Sequence, residues 1–365
     1  MKILLLTTHL RMGGIPIYVV TLAAALKQLK HEVTIASSGG ELVERLDKNE
    51  IPHIGLNINV KSELHPKVLA GGCSLIRFIK KNNIDVIHTH TRVTQVMGEM
   101  LAFLTGAHHV STCHGFFKLR VGRKLFKCWG EKVIAISDAV REHLVNDFKV
   151  KKSKIALIHN GIDLEPGKKI FSEEQKRAIR KELGLRQGPV VGIIARLSSV
   201  KGHKFLVEAM KRVVEDIKDV QLLIVGEGAE EVSLRGQTKE LGLSDSVVFA
   251  KSISGTAGVL SIMDVFVLSS IKEGLGLVLL EALSCARPVV ASDAGGVYSI
   301  VKDNTTGLLV PPKDSGSLAS AILKLLKDKA LAQRLAENGQ KLVREKFSLD
   351  KMAKKVHDLY KEVLK

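Results

Sequence analysis

Short apolar runs alternate with segments of helical periodicity along the first half of the chain. The apolar runs predict six strands: Ile3–Thr7, Val33–Ser37, Val86–His88, His109–Thr112, Val133–Ile136 and Ile155–Ile158. Between them, apolar residues recur every three or four positions, which predicts helices over Tyr18–Leu29, Val68–Lys80, Thr94–Leu104 and Asp138–Asp147. Strands separated by helices are typical of a parallel sheet with crossover helices.

The same alternation starts again at Val190. It predicts six further strands: Val190–Ala195, Gln221–Val225, Val247–Phe249, Val265–Leu268, Val289–Ala291 and Leu308–Val310. Asn160-Gly161 and Pro166-Gly167 are turn-forming pairs that separate the two halves. Ser172 to Gln175 has the pattern of a capping box, which predicts a helix that ends near Gly184.

The length of 365 residues exceeds what one hydrophobic core usually supports, so two domains are expected. We expect an α/β fold of two Rossmann-like domains, 1–165 and 166–347, that face each other across a cleft. Residues 348–365 are predicted to form a helix that packs back on the first domain. A ligand is expected where the carboxyl ends of the strands meet the cleft.

The composition is that of a folded protein with a basic surface. Hydrophobic residues make up 45% of the chain and charged residues 25%, and the net charge of +17 is shared by both halves. Such a charge favours anionic partners: nucleotides, phospholipid headgroups or nucleic acid. The four cysteines are far apart, and no apolar run approaches the roughly 18 residues of a membrane span. We therefore expect a cytoplasmic protein with free thiols.

Two glycine-rich turns follow predicted strands. Gly13-Gly14 lies between the first strand and a helix, where the backbone can approach a phosphate closely. Gly226-x-Gly228 invites a dinucleotide-binding interpretation, but Glu231 occupies the position of the third glycine, which excludes a nicotinamide cofactor on this pattern.

Charged and imidazole side chains also follow the strands. Arg196 and Lys201 lie in the loop after the first strand of the second half, where two cations can hold a diphosphate. His114 ends a strand of the first half and is the better functional candidate there, whereas His88 and His90 are expected to be structural. The chain contains no D-x-D sequence, so the signature of a carboxylate-held metal at a nucleotide-sugar site is missing.

Two glutamates, Glu273 and Glu281, bracket a glycine-broken loop and a helix start. Gly274 and Gly276 are expected to leave backbone amides uncovered at the helix N-terminus, which suits a phosphate. Eight residues of continuous helix would separate the carboxylates by about 12 Å, at ~1.5 Å per residue. This exceeds the roughly 5–9.5 Å of a glycosidase pair, so two contacts on one extended ligand fit better.

In order along the chain, these motifs resemble those of the family 4 glycosyltransferases, retaining enzymes of the GT-B fold. The matching residues cover nearly the whole chain: Gly13-Gly14, His114-Gly115, Asn160 to Asp163, Arg196 with Lys201, Gly226-x-Gly228, Glu273 to Glu281 and Pro288 to Gly296. Two departures are Ala195, where the family usually has glycine, and Ile15-Pro16 after the glycine pair.

The resemblance implies a donor-binding role for these positions and for Asn160. Arg196 and Lys201 would neutralise the departing diphosphate. Glu281 would bind the ribose hydroxyls and Glu273 those of the transferred sugar. Amides near Leu277 and Val278 would hold the distal phosphate. His114 would contact the sugar, and a phosphate oxygen could take the acceptor's proton, so no dedicated base, cofactor or metal is needed.

The donor is expected to be a UDP-sugar, with GDP-mannose as a second candidate, and the transferred group a hexose or N-acetylhexosamine. The acceptor would be a glycan or lipid-linked precursor of cell-envelope polysaccharide or lipopolysaccharide. Phe116–Trp129 mixes five cations with aromatic residues, which predicts contact with the anionic inner face of the membrane unless its aromatics pack inside. The alternatives are a sugar-nucleotide epimerase of the same fold and a basic nucleic-acid-binding protein, although no nucleic-acid motif is present.

Overall fold

The computed structural model describes residues 1–60, 62–63, 65–119, 123, 126–251 and 255–365. The chain divides into two compact units. Met1–Gly161 and Leu349–Lys365 form the first unit, and Ile162–Ser348 form the second. Each unit is built around a parallel sheet of its own.

The first unit contains a seven-stranded parallel sheet. Its strands are β1 Lys2–Leu6, β2 Glu32–Ser37, β3 His53–Gly55, β4 Val86–Thr89, β5 His108–Cys113, β6 Lys132–Ala135 and β7 Ile155–Leu157. They lie in the order β3-β2-β1-β4-β5-β6-β7. The chain winds outward from β1 and then outward from β4 in the other direction, so the topological switch point lies between these two strands.

Five helices of the first unit precede the second unit in the described part of the chain. They are α1 Gly14–Gln28, α2 Val43–Lys48, α3 Pro66–Asn82, α4 Arg92–Thr105 and α5 Asp138–Asn146. Thr91 and Thr94 form a capping box at the start of α4, and Ser137 caps α5. These caps satisfy amides that a helix start leaves without partners.

The second unit contains a six-stranded parallel sheet. Its strands are β8 Val190–Ile194, β9 Gln221–Val225, β10 Val247–Ala250, β11 Val265–Leu268, β12 Val289–Ser292 and β13 Leu308–Val310, in the order β10-β9-β8-β11-β12-β13. Its helices are α6 Glu165–Lys168, α7 Glu173–Glu182, α8 His203–Asp216, α9 Glu231–Glu240, α10 Ala257–Ser261, α11 Leu277–Ser284, α12 Ser315–Lys327 and α13 Lys329–Lys346. The switch point here lies between β8 and β11.

The last helix, α14 Leu349–Val363, belongs to the first unit. Its apolar face joins the core that contains Ile3 and Leu5 of β1 and Tyr18 of α1. The residues on that face are Met352, Val356, Leu359, Tyr360 and Val363. The amphipathic pattern of the final segment therefore reflects burial against the first sheet and its helices.

The predicted fold class is confirmed, since both units are Rossmann-like with fully parallel sheets. All twelve predicted strands are present, with ends that differ by at most one residue. Ser172 and Gln175 form the predicted capping box. The edge strand β3 and the short helix α2 were not predicted, and α1 begins four residues earlier than its periodicity indicated. Within the described residues, no helix has the length and apolar character needed to cross a membrane.

Candidate active site

Lys201 and Glu273 meet at the carboxyl ends of β8 and β11, the two strands that flank the switch point of the second sheet. Lys201 Nζ donates a hydrogen bond to Glu273 Oε2 at 2.5 Å. The side chains are 23% and 12% exposed, so the ion pair is largely shielded from water but still reachable. The sequence placed both residues in a donor site without predicting their contact.

Gly202 is what allows Lys201 to approach β11. It adopts φ +67°, and a Cβ atom there would lie 2.0 Å from the carbonyl oxygen of Ser269. Two hydrogen bonds fasten the loop: Ser269 Oγ donates to Lys201 O at 3.1 Å, and Ile271 N donates to Val200 O at 2.8 Å. The loop after β8 is therefore fixed against the loop after β11.

Glu273 is held in place by its own loop. Ser270 Oγ donates to Glu273 Oε2 at 3.2 Å, and the amide of Gly274 donates to Oε1 at 3.2 Å. The amide of Gly296 donates to the carbonyl of Glu273 at 2.9 Å. The expectation of an uncovered amide at Gly274 is wrong, because the adjacent carboxylate occupies it. Ser270 was not identified from the sequence.

Helix α11 begins immediately after this loop with an uncapped N-terminus. Gly276 is the N-cap residue, with φ +93°, and no described side chain accepts a hydrogen bond there. The amides of Leu277 and Val278 have no backbone acceptor among the described residues. Two donors at the positive end of a helix are suited to a phosphate oxygen, and this agrees with the predicted helix start.

Glu281 lies one turn further along α11 and is mostly buried. Burial raises the pKa of its carboxyl, and a hydrogen bond from Thr256 acts in the opposite direction. Thr256 Oγ1 donates to Glu281 Oε2 at 2.8 Å. Glu281 is therefore not a solvent-facing helix residue, and its second oxygen has no described partner. Thr256 was not predicted as a site residue, because a single threonine before a short helix is common.

The loops that carry Arg196 and Gly226 lie directly against each other. A Cβ atom at Gly226, which has φ +149°, would lie 2.1 Å from the carbonyl oxygen of Ala195. The amide of Leu197 donates to the carbonyl of Glu227 at 2.9 Å. The glycine is thus required for packing of the two loops, whatever ligand they contact. The side chain of Arg196 is exposed.

Gly13, Gly14 and Asn160 belong to the first unit. Gly13 is the N-cap residue of α1 and Gly14 its exposed first residue. A Cβ atom at Gly14 would meet nothing within 4 Å. Packing therefore does not demand glycine at Gly14, in contrast to Gly226. Asn160 is buried, and its Oδ1 has no hydrogen-bond partner among the described residues.

His114 follows β5 and packs edge-on against Tyr18 of α1, with ring centroids 4.7 Å apart. Its Nε2 lies 3.2 Å from Nδ1 of His90, at the end of β4. Burial lowers the pKa of His114 to about 3, so the ring is neutral at pH 7. The Gly13-Gly14 loop follows β1 and His114 follows β5. These strands lie on opposite sides of the switch point of the first sheet.

His88 and His90 are fully buried behind His114. Nδ1 of His88 lies 2.6 Å from the hydroxyl of Tyr360, and its Nε2 lies 2.7 Å from that of Thr112. The structural role expected for His88 is thus supported by two hydrogen bonds. His90, in contrast, has a hydrogen bond to His114 alone within the described part of the chain.

Across the described residues, no three His, Cys, Asp or Glu side chains are placed so that they could hold a metal ion. Among the described ion pairs, the cation that meets Glu273 is Lys201.

Both halves of the chain match known protein families. Residues 12–166 match the Glycosyltransferase Family 4 model, and residues 175–342 match the Glycosyl transferases group 1 model. The chain belongs to the family 4 glycosyltransferases. It is therefore a glycosyltransferase of the GT-B type, and the resemblance noted in its motifs is confirmed.

Two relatives of this glycosyltransferase illustrate the range of the family. The alpha-maltose-1-phosphate synthase of Mycobacterium tuberculosis is 31% identical, over 76% of this chain and 79% of that protein. The UDP-Gal:alpha-D-GlcNAc-diphosphoundecaprenol alpha-1,3-galactosyltransferase of Escherichia coli is 28% identical, over 89% of this chain and 87% of that protein.

Solved structures of similar proteins match the whole chain. A glycosyltransferase from Rickettsia africae superimposes with a TM-score of 0.88 at 27% identity, covering 100% of this chain and 98% of that one. The HepE protein of Anabaena, in complex with UDP-glucose, gives a TM-score of 0.88 at 24% identity, with 99% of each chain covered. At this level of identity, the similarity to HepE supports a shared fold alone.

Proposed function

We propose that this glycosyltransferase moves a hexose or N-acetylhexosamine from a nucleoside-diphosphate sugar to a glycan or lipid-linked acceptor, with retention of configuration and without a metal. The observation that carries the proposal is the Lys201–Glu273 pair beside the uncapped N-terminus of α11. A cation and two free amides suit a diphosphate, and a fixed carboxylate beside them suits the hydroxyls of the attached sugar.

The charges around the site support a reaction in which the diphosphate leaves. As the bond between the anomeric carbon and the phosphate oxygen breaks, negative charge grows on the diphosphate. Arg196, Lys201 and the amides of Leu277 and Val278 stabilise that charge. The acceptor oxygen bonds to the anomeric carbon on the same face, and its proton passes to a departing phosphate oxygen. This transfer needs no separate base.

We propose UDP as the donor nucleotide and GDP, in GDP-mannose, as the second candidate. The Escherichia coli relative has UDP-Gal in its name, and the similar Anabaena fold was crystallised with UDP-glucose. Glu281 supports a nucleotide at this place, because a carboxylate oxygen left without a described partner can accept from a ribose hydroxyl. The Gly13-Gly14 loop and Asn160 are proposed to complete the donor site.

The acceptor is proposed to be an envelope precursor on a lipid or growing glycan, since the Escherichia coli relative acts on a diphosphoundecaprenol-linked sugar by its name. Membrane contact through Phe116–Trp129 needs revision. Trp129 is buried, and Phe117 packs against it with centroids 6.0 Å apart. Residues 120–122 and 124–125 lie outside the described part. Leu119 and Phe126 are exposed, so they and the neighbouring lysines are the proposed contact with the inner face of the membrane.

Calorimetric titration with UDP-, GDP- and ADP-sugars tests the donor assignment. We expect one UDP- or GDP-sugar to bind in the presence of a chelator. With a suitable acceptor, or water, the bound donor should release the nucleoside diphosphate and give an α-configured product from an α-configured donor. Failure of every donor to bind would contradict the proposal. Recovery of an epimerised sugar nucleotide, without release of the diphosphate, would favour the epimerase instead.

Sedimentation with anionic vesicles tests the membrane contact. The double variant L119S/F126S should bind vesicles of phosphatidylglycerol several-fold more weakly than the unaltered protein. The control is I170S, which removes an even more exposed apolar side chain, 91% exposed, from the second unit. Equal losses in both variants, or no binding by the unaltered protein at moderate salt, would contradict the contact.

A further inference from the structure

We infer that His90 is a positioning residue that holds His114 in its neutral Nδ1–H tautomer, so that His114 offers an N–H donor to the transferred sugar. The inference rests on the proposed function, in which His114 contacts that sugar. It adds the protonation state of each ring nitrogen and identifies the residue that determines it.

The side chain of His90 is enclosed by other aromatic and imidazole rings. Its side chain is 1% exposed and lies between two other imidazoles, with ring centroids 4.2 Å from His88 and 5.5 Å from His114. Tyr18 covers the same group, with its ring centroid 5.6 Å from that of His90. Only Nδ1 of His90 has a polar partner among the described residues, and that partner is Nε2 of His114 at 3.2 Å.

His88, His90 and His114 lie side by side, and burial keeps all three rings neutral. Burial lowers the pKa of His88 and of His90 well below 6.5, and the neighbouring imidazoles lower each further. A neutral imidazole carries one N–H and one lone pair. The contact between His90 and His114 therefore has two possible arrangements, which differ in the direction in which the proton is shared.

In the first arrangement His114 donates from Nε2, and His90 must then carry its own proton on Nε2. That N–H would be buried without an acceptor among the described residues. In the second, His90 donates from Nδ1 to Nε2 of His114, and only a lone pair of His90 remains without a partner. Because buried N–H groups without acceptors are rarer than unsatisfied acceptors, the second arrangement is favoured.

The second arrangement decides what His114 can do. With Nε2 occupied as an acceptor, the proton of His114 is on Nδ1, and no described residue hydrogen-bonds to that atom. A neutral ring with a fixed donor can bind a sugar hydroxyl oxygen and adds no positive charge beside a sugar ring that becomes positive during transfer. His90 itself does not touch the sugar in this arrangement.

Nitrogen NMR of the full chain labelled with ¹⁵N-histidine tests the tautomer directly. The signals of His114 are assigned by their loss in H114Q. In the unaltered protein we expect its Nδ1 in the protonated range and its Nε2 in the unprotonated range at neutral pH. The opposite pattern would overturn the inference while leaving the transferase proposal untouched.

Three variants separate positioning from packing. H90L removes the donor, and we expect loss of the fixed tautomer and a fall of about tenfold or more in kcat, with less change in the donor's KM. H90N restores an amide donor near the place of Nδ1 and should recover most of both properties. H109L is the matched control, since His109 is equally buried, at 2%, and bonds to Thr89 and Glu99 instead of His114.

The outcomes separate the inference from the proposed function. If H90L and H109L lose stability equally and the tautomer of His114 stays the same in both, His90 is only a packing residue and the inference fails. Loss of the tautomer in H90L alone, together with recovery in H90N, supports it. Absence of donor binding in the unaltered protein would refute the proposed function, whatever the NMR pattern.

Discussion

At the scale of single residues, Lys201 is paired before any ligand arrives. Its ammonium group already has a carboxylate partner in Glu273, and that carboxylate is held by Ser270 and Gly274. In the proposed function, the donor diphosphate takes the place of Glu273 as the partner of Lys201. The sugar hydroxyls can then occupy Glu273, so that neither charge is left without a partner in a partly buried place.

Replacement of Lys201 by alanine should lower the rate of transfer more than donor affinity. Its charge matters most when the diphosphate becomes more negative, and loss of one such contact typically lowers kcat by about 10²–10³-fold. Steady-state kinetics and calorimetry on K201A measure the two effects. K204A is the control, because the exposed ammonium of Lys204 lies over the ring of Phe205, at 4.9 Å. Equal losses of kcat in both variants would contradict the assignment.

Glu281 and Thr256 give a second prediction at this scale. E281Q removes the charge that is proposed to accept from the ribose, and nucleotide binding should weaken by tenfold or more, or about 1.4 kcal/mol. T256V keeps the shape of Thr256 but removes its hydrogen bond to Glu281, so a smaller loss of about fivefold is expected. Calorimetry with UDP measures both. Affinity that is unchanged in E281Q would refute the ribose contact.

The candidate residues could be predicted from the sequence, but their contacts could not. Lys201 and Glu273 each follow a strand, and parallel strands place such residues at one edge of a sheet. Their direct pairing depends on β8 and β11 being neighbours, although 72 residues separate the two side chains. Thr256 and His90 are defined only by the partner each one meets, so no local pattern could identify them.

At the scale of elements, the predicted strands were those with continuous apolar runs, because both faces of a parallel sheet are covered. β3 was missed since it is only three residues long, His53–Gly55, and lies at the sheet edge. α2 was missed because its six residues contain a single buried side chain, Leu46. Neither element has enough apolar residues to establish a period.

Gly202 is the N-cap residue of α8 and directly follows the site residue Lys201. G202A should place a Cβ atom 2.0 Å from the carbonyl oxygen of Ser269 and displace the loop that holds Lys201. We expect a loss of stability well above the roughly 1–2 kcal/mol of left-handed backbone strain, together with weaker donor binding.

Gly184 offers the matched control for this substitution. It has φ +70°, against +67° for Gly202, but a Cβ atom there would meet nothing within 4 Å. G184A should therefore show the strain alone and keep donor affinity. Urea unfolding and calorimetry on both variants make the comparison. Equal stability losses, with donor binding unaffected in G202A, would contradict the close approach to Ser269.

At the scale of the whole molecule, the first unit is assembled from two distant parts of the chain. His31 Nε2 lies 2.7 Å from Nδ1 of His357 on α14, and the amine of Met1 lies 3.4 Å from His31 Nδ1. Burial lowers the pKa of His31 to about 4, and the charges of the Met1 amine and Lys361, together with the nearby His357 ring, lower it further. The folded state therefore favours the neutral form of His31.

The attachment of α14 should weaken in acid. In the unfolded chain, His31 has a pKa near the usual 6.5. The stability that depends on neutral His31 is therefore complete above that pH and is lost as pH falls toward about 4. Urea unfolding midpoints should decline from about pH 7.5 to about pH 5, and less steeply in H31Q. A decline of equal slope in H31Q would contradict the role of this contact.

The membership of α14 in the first unit also affects the order in which the protein can fold during synthesis. Residues 162–348 are contiguous, so the second unit can complete its sheet while the ribosome is still translating. The first unit, although made earlier, lacks the helix that covers Ile3, Leu5 and Tyr18 until residues 349–363 have emerged. The first unit can therefore be completed only after the residues of the second unit have been made, and until then the apolar face of β1 and α1 stays exposed to chaperones.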